Sequence, residues 1–332
     1  MFLISIGTAT VDYIVSLPQK ERGTKLTFEK GKKYYIESPL MRSGGGALNV
    51  AITAARSGVS TLLVSEWGAD AAGSFLEGVV RKEHIQSRVT ISRKEPTATS
   101  FIFVSPDGER TVFGSRGALS HFSLSDIPPV KTFESSWAYI VTGTWSPAVI
   151  MKLVRTLKKQ HIQVALSPSG YLLGQDQKTL LPLLQLSDVV IMNRSEAALL
   201  THINSSQPKK IFKRLDELVR GIAIMTDSTH GAVVSDGAHL FTGPAFRARV
   251  VDETGAGDAF GGGFVVGLME SGARCAKGVC DEDEMAYVLS RGAANAASVV
   301  EHKGATEGIL TRKEFLTQKR WRDYRVHIEH LK

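Results

Sequence analysis

A glycine-rich string near residue 255 carries the clearest chemical signal in the sequence. It reads Val251-Asp-Glu-Thr-Gly-Ala-Gly-Asp-Ala-Phe-Gly-Gly-Gly263, and its small residues Gly255, Ala256 and Gly257 directly precede a predicted helix. Small residues leave backbone N–H groups uncovered, and a helix N-terminus adds about half a positive charge. The string therefore predicts an anion hole that suits a phosphate group.

Asp258 lies in the first turn of that predicted helix. As an ordinary acid at a helix start, it would stabilise the helix by about 0.3–1 kcal/mol. A carboxylate beside a phosphate-binding turn also repels phosphate, and it has a use there if it removes the proton from an attacking hydroxyl. We interpret Asp258 as a general base, with the structural role as the alternative.

Two other glycine-rich motifs do not match the sequence. No string fits the phosphate-binding loop Gly-x-x-x-x-Gly-Lys-Ser/Thr. In the dinucleotide fingerprint Gly-x-Gly-x-x-Gly, Phe260 stands where the third glycine belongs, and the string lies late in the chain rather than in the first strand-to-helix turn. Hydride transfer with a nicotinamide cofactor is therefore disfavoured.

A second glycine-rich string, Ser43-Gly-Gly-Gly-Ala-Leu-Asn-Val-Ala51, precedes another predicted helix. Its glycines permit a ligand to approach the backbone closely. Asn49, in the first turn, offers both a donor and an acceptor, which suits vicinal hydroxyl groups. The alternative is a helix start with an incidental polar residue.

Segments with strand and helix patterns alternate along most of the chain, and they must position these two strings. Such alternation is typical of βαβ units and predicts an α/β fold with a doubly wound, mainly parallel central sheet flanked by helices. Ligands of such sheets bind outside the carboxyl ends of the strands. The predicted strands are Phe2–Ile6, Thr61–Ser65, Trp137–Thr142, Gln163–Leu166, Val189–Met192 and Ile222–Thr226, and the predicted helices are Ala47–Ser57, Ala71–Lys82, Ser146–Gln160, Leu180–Leu186, Arg194–Thr201, Asp258–Glu270 and Glu282–Val300.

Two polar regions, at about 11–41 and 97–113, interrupt the alternation. The first contains short β-like pieces at Val11–Leu17 and Tyr34–Ile36, and the second contains two alternating runs joined by Ser105-Pro-Asp-Gly-Glu109, a hairpin signal. Together they predict a small β-sheet lid over the ligand edge of the main sheet. We predict one domain over residues 1–325 that includes this lid, followed by a C-terminal tail over 326–332.

The composition is that of an ordinary globular protein. Of 332 residues, 43% are hydrophobic and 22% are charged, and no apolar run is long enough to cross a bilayer. Much of the net charge of +7 lies within 312–325, which we interpret as a solvated helix face rather than a nucleic-acid site. Two cysteines, Cys275 and Cys280, are too few for a disulfide framework, so a cytoplasmic location is expected.

Six features, in one order, resemble the ribokinase-like (PfkB) family of sugar and nucleoside kinases. The two glycine-rich strings match its two signatures, and the likeness covers nearly the whole chain. The matching residues are Gly7 with Asp12, Gly44-Gly45 with Asn49, Gly68-x-Asp70-x-x-Gly73, Asn193-Arg-Ser-Glu196, Asp252-x-Thr254-Gly255-Ala256-Gly257-Asp258 and Lys303-Gly-Ala305.

The resemblance implies transfer of the γ-phosphoryl group of ATP to a primary hydroxyl of a sugar (ribose-, fructose- or sugar-acid-like), with a nucleoside as the alternative. Asp258 would be the general base beside an anion hole of Gly255, Ala256 and Gly257. Asn193 and Glu196 would act through water on Mg²⁺ and the phosphates. A helix N-cap followed by an acid is the structural alternative for this pair. A remote alternative for the whole protein is a non-catalytic nucleotide or sugar sensor.

The resemblance also assigns two binding sites. The substrate hydroxyls would contact Asp12, Gly44, Gly45 and Asn49, and the nucleotide site would include Thr226, Ser228, Gly231, Gly257 and Asn295. One position departs from the family, because Ser228 stands where a glycine is usual. Its side chain could narrow the pocket or add a hydroxyl contact. For Asn295, a core-facing amide is the alternative to a contact with the adenine.

Many relatives bind a monovalent cation beside the anion hole, and the resemblance places such a K⁺ site at Asp252, Thr254, Gly304 and Gly308. A buried carboxylate at Asp252 needs a positive partner, which K⁺ would supply. Arg110, on the lid, is interpreted as a solvated surface arginine, with contact to an acidic or phosphorylated substrate as the alternative. Since the family often dimerises through the lid, the expected partners are a second copy and a small-molecule substrate.

Overall fold

Two sheets organise the computed structural model, which describes residues 1–17, 27–36, 38–105, 110–121, 137–272 and 280–331. The strands are β1 (Phe2–Ile6), β2 (Thr10–Ser16), β3 (Leu40–Gly44), β4 (Ser60–Gly68), β5 (Gln86–Ser92), β6 (Thr99–Val104), β7 (Arg110–Ser115), β8 (Trp137–Val141), β9 (Gln163–Ser167), β10 (Val189–Asn193), β11 (Ile222–Thr226), β12 (Ala232–Ser235), β13 (His239–Gly243) and β14 (His327–His330). In the described part of the chain, the large sheet has the order β14-β13-β12-β11-β10-β9-β8-β1-β4-β5, and the small sheet has the order β3-β2-β6-β7.

The large sheet is parallel from β11 through β5 and antiparallel at its other end, where β12, β13 and β14 pair in turn. Successive side chains of a strand face opposite sides of a sheet. In β1, accordingly, Leu3 is buried on one face while Ile4 and Ile6 are buried on the other. Burial on both faces explains the nearly continuous apolar strands and confirms the predicted fold class.

Helices cover both faces of the large sheet. They are α1 (Gly46–Arg56), α2 (Ala71–Lys82), α3 (Pro147–Lys159), α4 (Gly170–Leu173), α5 (Gln177–Leu186), α6 (Arg194–Thr201), α7 (Pro208–Leu218), α8 (Ala256–Ser271), α9 (Glu282–Val299) and α10 (Arg312–Thr317). Apolar residues of α3 to α7 join the core on the Ile4 face, and those of α1, α8 and α9 join the core on the Leu3 face. Among the described residues, no helix combines the length and apolar character needed to span a membrane.

The direction of winding reverses between β1 and β8. Strand β1 pairs with β4 on one side and with β8 on the other, so the loops that follow β1 and β8 leave the sheet in opposite directions. A crevice therefore opens at the carboxyl ends of these two strands. Gly7, directly after β1, lies against the backbone of Val141 at the end of β8. Gly46, the first residue of α1, lies against Val141 and Asp258. Both glycine-rich strings therefore reach this one crevice.

The small sheet contains the two predicted lid segments, with different strand bounds. The expectation of a β-like piece at Tyr34–Ile36 is wrong, since these residues form no strand. The strand that pairs with β2 in this part of the small sheet is β3, which ends at Gly44. Strand β2 pairs with β3 and with β6, and β6 pairs with β7. Of the predicted hairpin turn, residues 106–109 lie outside the described part of the chain, as does Cys275.

The predicted C-terminal tail over 326–332 is wrong, because β14 lies within it and pairs with β13. Its four residues carry too short a pattern to be assigned as a strand from sequence alone. The predicted terminal helix face is shorter than expected over 312–325, since α10 ends at Thr317 and a short 3-10 turn follows at Lys319–Trp321. The basic side chains of that stretch are exposed, as expected, and Arg320 also pairs with Glu301 through two hydrogen bonds of 3.0 Å.

Candidate active site

The turn before α8 has the conformation that its glycine allows. Gly255 is the N-cap residue, and its φ of 79° lies in the left-handed region, which glycine adopts at little cost. A side chain at this position would collide with Ala305, which packs directly on the turn. Ala305 belongs to the Lys303-Gly-Ala305 string, so the two segments that are 50 residues apart in sequence shape one another.

The predicted anion hole requires unpaired backbone N–H groups at the start of α8, and all but one of the four N–H groups there are unpaired among the described residues. Ala256 donates its N–H to the carbonyl of Glu253 at 3.3 Å. The N–H groups of Gly255, Gly257 and Asp258 have no hydrogen-bond partner within the described residues. Unpaired N–H groups at the positive end of a helix bind an anion favourably, so these three are the donors that a phosphate would meet.

Asp258 sits between α8 and α1. Its Oδ2 accepts a hydrogen bond of 2.9 Å from Nδ2 of Asn49, and its Oδ1 lies so close to Gly46 that a Cβ there would be 2.8 Å away. Burial raises the pKa of the Asp258 carboxyl, while the hydrogen bond from Asn49 lowers it. A carboxylate with a raised pKa is a stronger base, which is the property a general base needs.

Polar groups on the lid side of the crevice face the same region. Asp12, on β2, is 5% exposed, and its Oδ1 accepts a hydrogen bond of 3.2 Å from the hydroxyl of Thr10. Gly44 lies against this carboxylate and leaves room for it because it has no side chain. Burial raises the pKa of Asp12, hydrogen bonds from Ser100 and Thr10 lower it, and the charges of Asp252 and Asp258 raise it further.

Two of the predicted substrate residues lie at the start of α1. Gly45 is the N-cap residue, with a φ of 89° and with the backbone of Thr8 and Ala9 packed against it. Asn49 is buried, and its side-chain oxygen has no hydrogen-bond partner within the described residues, although its amide nitrogen donates to Asp258. A buried acceptor without a partner is unfavourable, so this oxygen is available to a hydroxyl group of a ligand.

A cavity of about 810 Å³ extends from the anion hole. Its polar end is lined by Gly255, Ala256, Gly257, Asp258, Asn193, Glu196, Thr226, Ser228 and Gly231. The structure thus brings nine of the predicted site residues to one cavity. Apolar groups also line it, among them Phe246, Ala293, Ala297 and Val300.

Asn193 and Glu196 form the capping box that was their structural alternative. Oδ1 of Asn193 accepts the N–H of Glu196 at 2.8 Å, and Oε2 of Glu196 accepts the N–H of Asn193 at 2.9 Å. Burial raises the pKa of Glu196, hydrogen bonds from Asn193 lower it, and the charge of Asp258 raises it. The capping role fixes both side chains at the cavity wall, so it is compatible with a further role toward a ligand.

The departure at Ser228 has a visible consequence for the backbone. Ser228 has a φ of 46°, in the left-handed region where glycine is the usual residue, and it lines the cavity with Thr226. Gly231 has a φ of 89° and lies against the backbone of Gly243. The turn therefore keeps a glycine-like conformation although a side chain is present.

Asn295 is a core amide, and the hypothesis that it faces the adenine is wrong. Its Nδ2 donates to the Ala259 carbonyl at 2.8 Å and to the Thr53 hydroxyl at 3.3 Å, and its Oδ1 accepts the N–H of Leu310 at 3.0 Å. Both N–H donors and the oxygen of its side chain are engaged between α1, α8 and the segment before α10. The cavity wall is formed instead by its neighbours Ala293, Ala296 and Ala297.

The residues predicted to bind a monovalent cation are only partly brought together. Oδ2 of Asp252 accepts the N–H of Gly304 at 2.9 Å, and Oδ1 accepts both the N–H and the hydroxyl of Thr254, at 2.9 and 2.6 Å. Gly308 packs against Ser298 and His302. The positive partner of Asp252 is Arg110 of β7, at 3.4 Å. Arg110 is exposed, as expected of a surface arginine, but it also pairs with a buried carboxylate.

Two residues at the site, Ser167 and Gly46, carried no sequence prediction of their own, and the contact of Arg110 with Asp252 was not predicted either. Ser167, at the end of β9, lines the cavity. Gly46 lies against Asp258, and Arg110 contacts Asp252. The position of Ser167 directly after the predicted strand Gln163–Leu166 was a signal in the sequence that it could line the site. The contact of Arg110 with Asp252 spans 142 residues, and no local pattern indicated it.

Comparison with known proteins identifies a family for this chain. Residues 3–312 match the family described as pfkB family carbohydrate kinase. The ribokinase of Haemophilus influenzae is 27% identical over 320 residues, which cover 95% of this chain and 97% of the relative. A nucleoside kinase of Methanocaldococcus jannaschii is 26% identical over 309 residues, which cover 92% of this chain and 92% of the relative.

Solved structures share the fold. The crystal structure of the Methanocaldococcus jannaschii nucleoside kinase superposes with a TM-score of 0.76 at 24% identity, covering 96% of this chain and 97% of that one. The ribokinase of Giardia lamblia superposes with a TM-score of 0.78 at 21% identity, covering 94% and 98%. This chain belongs to the pfkB family of carbohydrate kinases, and it is a kinase of a sugar or a nucleoside.

Proposed function

We propose that the protein transfers the γ-phosphoryl group of ATP to a primary hydroxyl of a sugar, with Asp258 as the general base. One observation carries the proposal. The unpaired N–H groups of Gly255 and Gly257 and the carboxylate of Asp258 lie on one turn and line one cavity. Groups that stabilise a transferring phosphoryl and a group that accepts a proton are thereby placed next to each other.

The reaction follows from the positions of these groups. The substrate hydroxyl donates its hydrogen bond to Asp258 while neighbouring hydroxyls contact Asp12 and the free side-chain oxygen of Asn49. The hydroxyl oxygen forms a bond to the γ-phosphorus, and the bond from that phosphorus to the bridging oxygen of ADP breaks. The proton passes to Asp258, and the N–H groups of the α8 turn stabilise the negative charge on the transferred group.

Mg²⁺ fits the electrostatics at the polar end of the cavity. Burial and the charge of Asp258 both disfavour the ionised form of Glu196, and a cation held near the phosphates would favour it. Within the described residues, no group of three or more acidic, histidine or cysteine side chains could hold a metal by itself. Glu196 and Asn193 would therefore act through water on an ion that binds mainly phosphate oxygens, and the ion would neutralise phosphate charge during transfer.

The acceptor that we propose is a ribose-, fructose- or sugar-acid-like molecule, with a nucleoside as the second candidate. Asp12 can accept two hydroxyl hydrogen bonds at once, which favours a polyol over an apolar alcohol. The similarity to a nucleoside kinase of Methanocaldococcus jannaschii supports the second candidate. The apolar part of the cavity wall, with Phe246 and several alanines, suits the base of the donor nucleotide.

An ADP-release assay with pentoses, hexoses, sugar acids and nucleosides, using ATP and GTP as donors, tests the function. D258N should lower turnover of the preferred substrate by about 10²–10⁴-fold because base catalysis is lost. D176N is the matched control, since Asp176 is exposed and its side chain caps no helix by a hydrogen bond. Turnover by D258N near the wild-type rate would refute the role of Asp258. Tight ATP binding without turnover of any alcohol would favour the non-catalytic sensor.

A further inference from the structure

Arg110 connects the lid to the segment that leads into the anion hole. It is the first residue of β7, the edge strand of the small sheet, and it also lines the cavity that contains Asp258. Its Nη1 lies 3.4 Å from Oδ1 of Asp252 and donates a hydrogen bond of 3.0 Å to the hydroxyl of Thr254. Thr254 directly precedes Gly255, so the guanidinium group contacts the base of the anion-hole turn.

Asp252 is already fully engaged by the chain itself. Its side chain is 8% exposed, and both oxygens accept hydrogen bonds, from Thr254, from Gly304 and from Arg110. A buried carboxylate is stable only when a positive charge and donors accompany it, and here all of these come from side chains and backbone. A monovalent cation at this carboxylate would lie next to the guanidinium and be repelled by it. The set of residues therefore does not fit K⁺.

We propose that Arg110 takes the role of the monovalent cation that the family resemblance implied at Asp252, and thereby makes the enzyme independent of K⁺. Arg110 is a positioning residue in this proposal: it neutralises Asp252 and holds Thr254, and through them it sets the turn at Gly255. The proposal rests on the proposed function, because the turn matters for catalysis only if it binds the transferred phosphoryl group.

The position of Arg110 on the lid adds a second consequence. A metal ion would stay with the main sheet when the lid moves, whereas Arg110 moves with β7. Arg110 therefore compensates the charge of Asp252 only while the lid lies against the cavity, and the anion hole is complete only in that arrangement. The charge of Asp252 also reaches Asp12, whose pKa it raises, so both the acceptor and donor sides of the site depend on this contact.

The first experiment measures initial rates of the wild-type enzyme in KCl, NaCl and tetramethylammonium chloride at equal ionic strength. Rates in the three salts should agree within about twofold, since the charge at Asp252 is internal. R110Q should lower kcat by about 10- to 100-fold, as expected when a hydrogen bond to a charged group is lost. In R110Q, K⁺ or added guanidinium ion should restore part of the rate. The kcat of R110K should lie between that of the wild type and that of R110Q.

A matched control separates this role from a general loss of charge. R214Q removes an arginine whose ion pair with Glu217 is on an exposed helix surface, so it should leave kcat and the salt response unchanged. A strong activation of the wild type by K⁺ over tetramethylammonium would overturn the proposal. So would an R110Q enzyme with wild-type kcat, or one whose lost activity responds to neither K⁺ nor guanidinium.

Calorimetric binding of ATP with Mg²⁺ in the same three salts gives a readout that needs no turnover. Wild-type affinity should be the same in each salt, and R110Q should bind more weakly and respond to K⁺. If the wild type binds ATP independently of K⁺ but phosphorylates no alcohol, the proposed function fails, while the part of the inference in which Arg110 replaces K⁺ at Asp252 stands. If it is an active kinase whose ATP binding requires K⁺, the inference fails while the function stands.

Discussion

Three carboxyl groups with raised pKa values, those of Asp12, Glu196 and Asp258, surround the crevice. Burial is the largest cause for each, and the charge of Asp258 raises the pKa of the other two. Ionised carboxylates in such positions destabilise the ligand-free fold, and bound hydroxyls and cations would offset this cost. At the scale of the residue, the buried carboxylates of the site therefore lower the stability of the ligand-free fold, and the same burial makes a proton acceptor available.

The pH dependence of stability should reveal this cost. Because the folded-state pKa of Asp258 is raised, its stabilising contribution is present below the unfolded value of about 3.9 and is lost as pH rises through the folded value. D258N should thus become more stable relative to the wild type as pH rises over that window. Chemical denaturation of the ligand-free proteins at several pH values measures the difference.

Asp70 serves as a control whose pKa shifts in the opposite direction to that of Asp258. Burial raises its pKa, but hydrogen bonds from Thr97, Gly73 and Ala72 prevail and lower it. Its contribution is present above the unfolded value and is lost as pH falls through the folded value, so D70N should lose stability relative to the wild type as pH rises. The same slope for D258N and D70N would show that burial does not govern Asp258.

Ser228 allows a direct test of its left-handed backbone. S228G and S228A both remove the hydroxyl, but only glycine adopts a φ near 46° without strain. We expect S228G to exceed S228A by about 1 kcal/mol in the free energy of unfolding. At Ser74, an exposed position within α2, the same pair should show the reverse order, since glycine costs about 1 kcal/mol relative to alanine in a helix.

At the scale of the element, α8 combines a functional N-terminus with close packing along its length. Residues Ala259 to Met269 are all buried, in contact with the sheet, α1 and α9. Glycines at Gly261 and Gly263 let the hydroxyl of Tyr139 and the backbone of Arg291 approach the helix. Since the helix is held on every side, its first turn is held in place with it.

G261A tests this packing. A methyl group at residue 261 would collide with the Tyr139 hydroxyl, so the variant should lose about 1–3 kcal/mol in the free energy of unfolding and should also lose turnover as the first turn of α8 shifts. G78A is the matched control, because Gly78 lies in α2 with open space around it. That substitution should stabilise the protein by up to about 1 kcal/mol. Equal effects of the two variants would contradict the packing argument.

At the scale of the whole molecule, the outer face of the small sheet carries a row of apolar side chains. Met41, Tyr13, Phe101 and Phe113 are directly paired across the four strands. Tyr13 and Phe101 stack at 5.3 Å, while Met41, Phe101 and Phe113 are 40%, 46% and 59% exposed. An apolar row on a small sheet with an edge at β7 suits a second copy of the lid, which supports the expected homodimer.

A charge in this row should separate the two copies. We expect the wild type to sediment as a dimer and F101K with F113K to sediment as a monomer of 36.0 kDa. I91K is the control, since Ile91 is equally exposed but lies on β5 at the far edge of the large sheet. A wild type that stays monomeric at micromolar concentration, or a double variant that stays dimeric, would refute lid-mediated assembly.

Local patterns predicted much of the fold. The bounds of β1, β11, α2 and α6 agree with the structure, and the other predicted elements, except the piece at Tyr34–Ile36, begin and end within three residues of the observed bounds. These segments are long and strongly periodic, and their turns carry glycine or capping residues, so neighbouring residues suffice to specify them. Short or exposed segments such as β3, β5 and β14 were not predicted because a few residues carry too little periodicity. The helix α7 was also not predicted, although its eleven residues bury Ile211, Phe212, Leu215 and Leu218 at helical spacing.

The sequence alone determined those features of the crevice that depend on neighbouring residues: a turn of small residues, an adjacent acid and glycines at the start of two helices. Only the tertiary structure decided which groups meet across the chain. It directed Asn295 into the core although its neighbours line the cavity, and it joined Arg110 to Asp252. Such contacts form because the strand order brings distant segments to one edge of a sheet. Arg110 and Asp252 are 142 residues apart, and no periodic pattern in the sequence indicates that they are in contact.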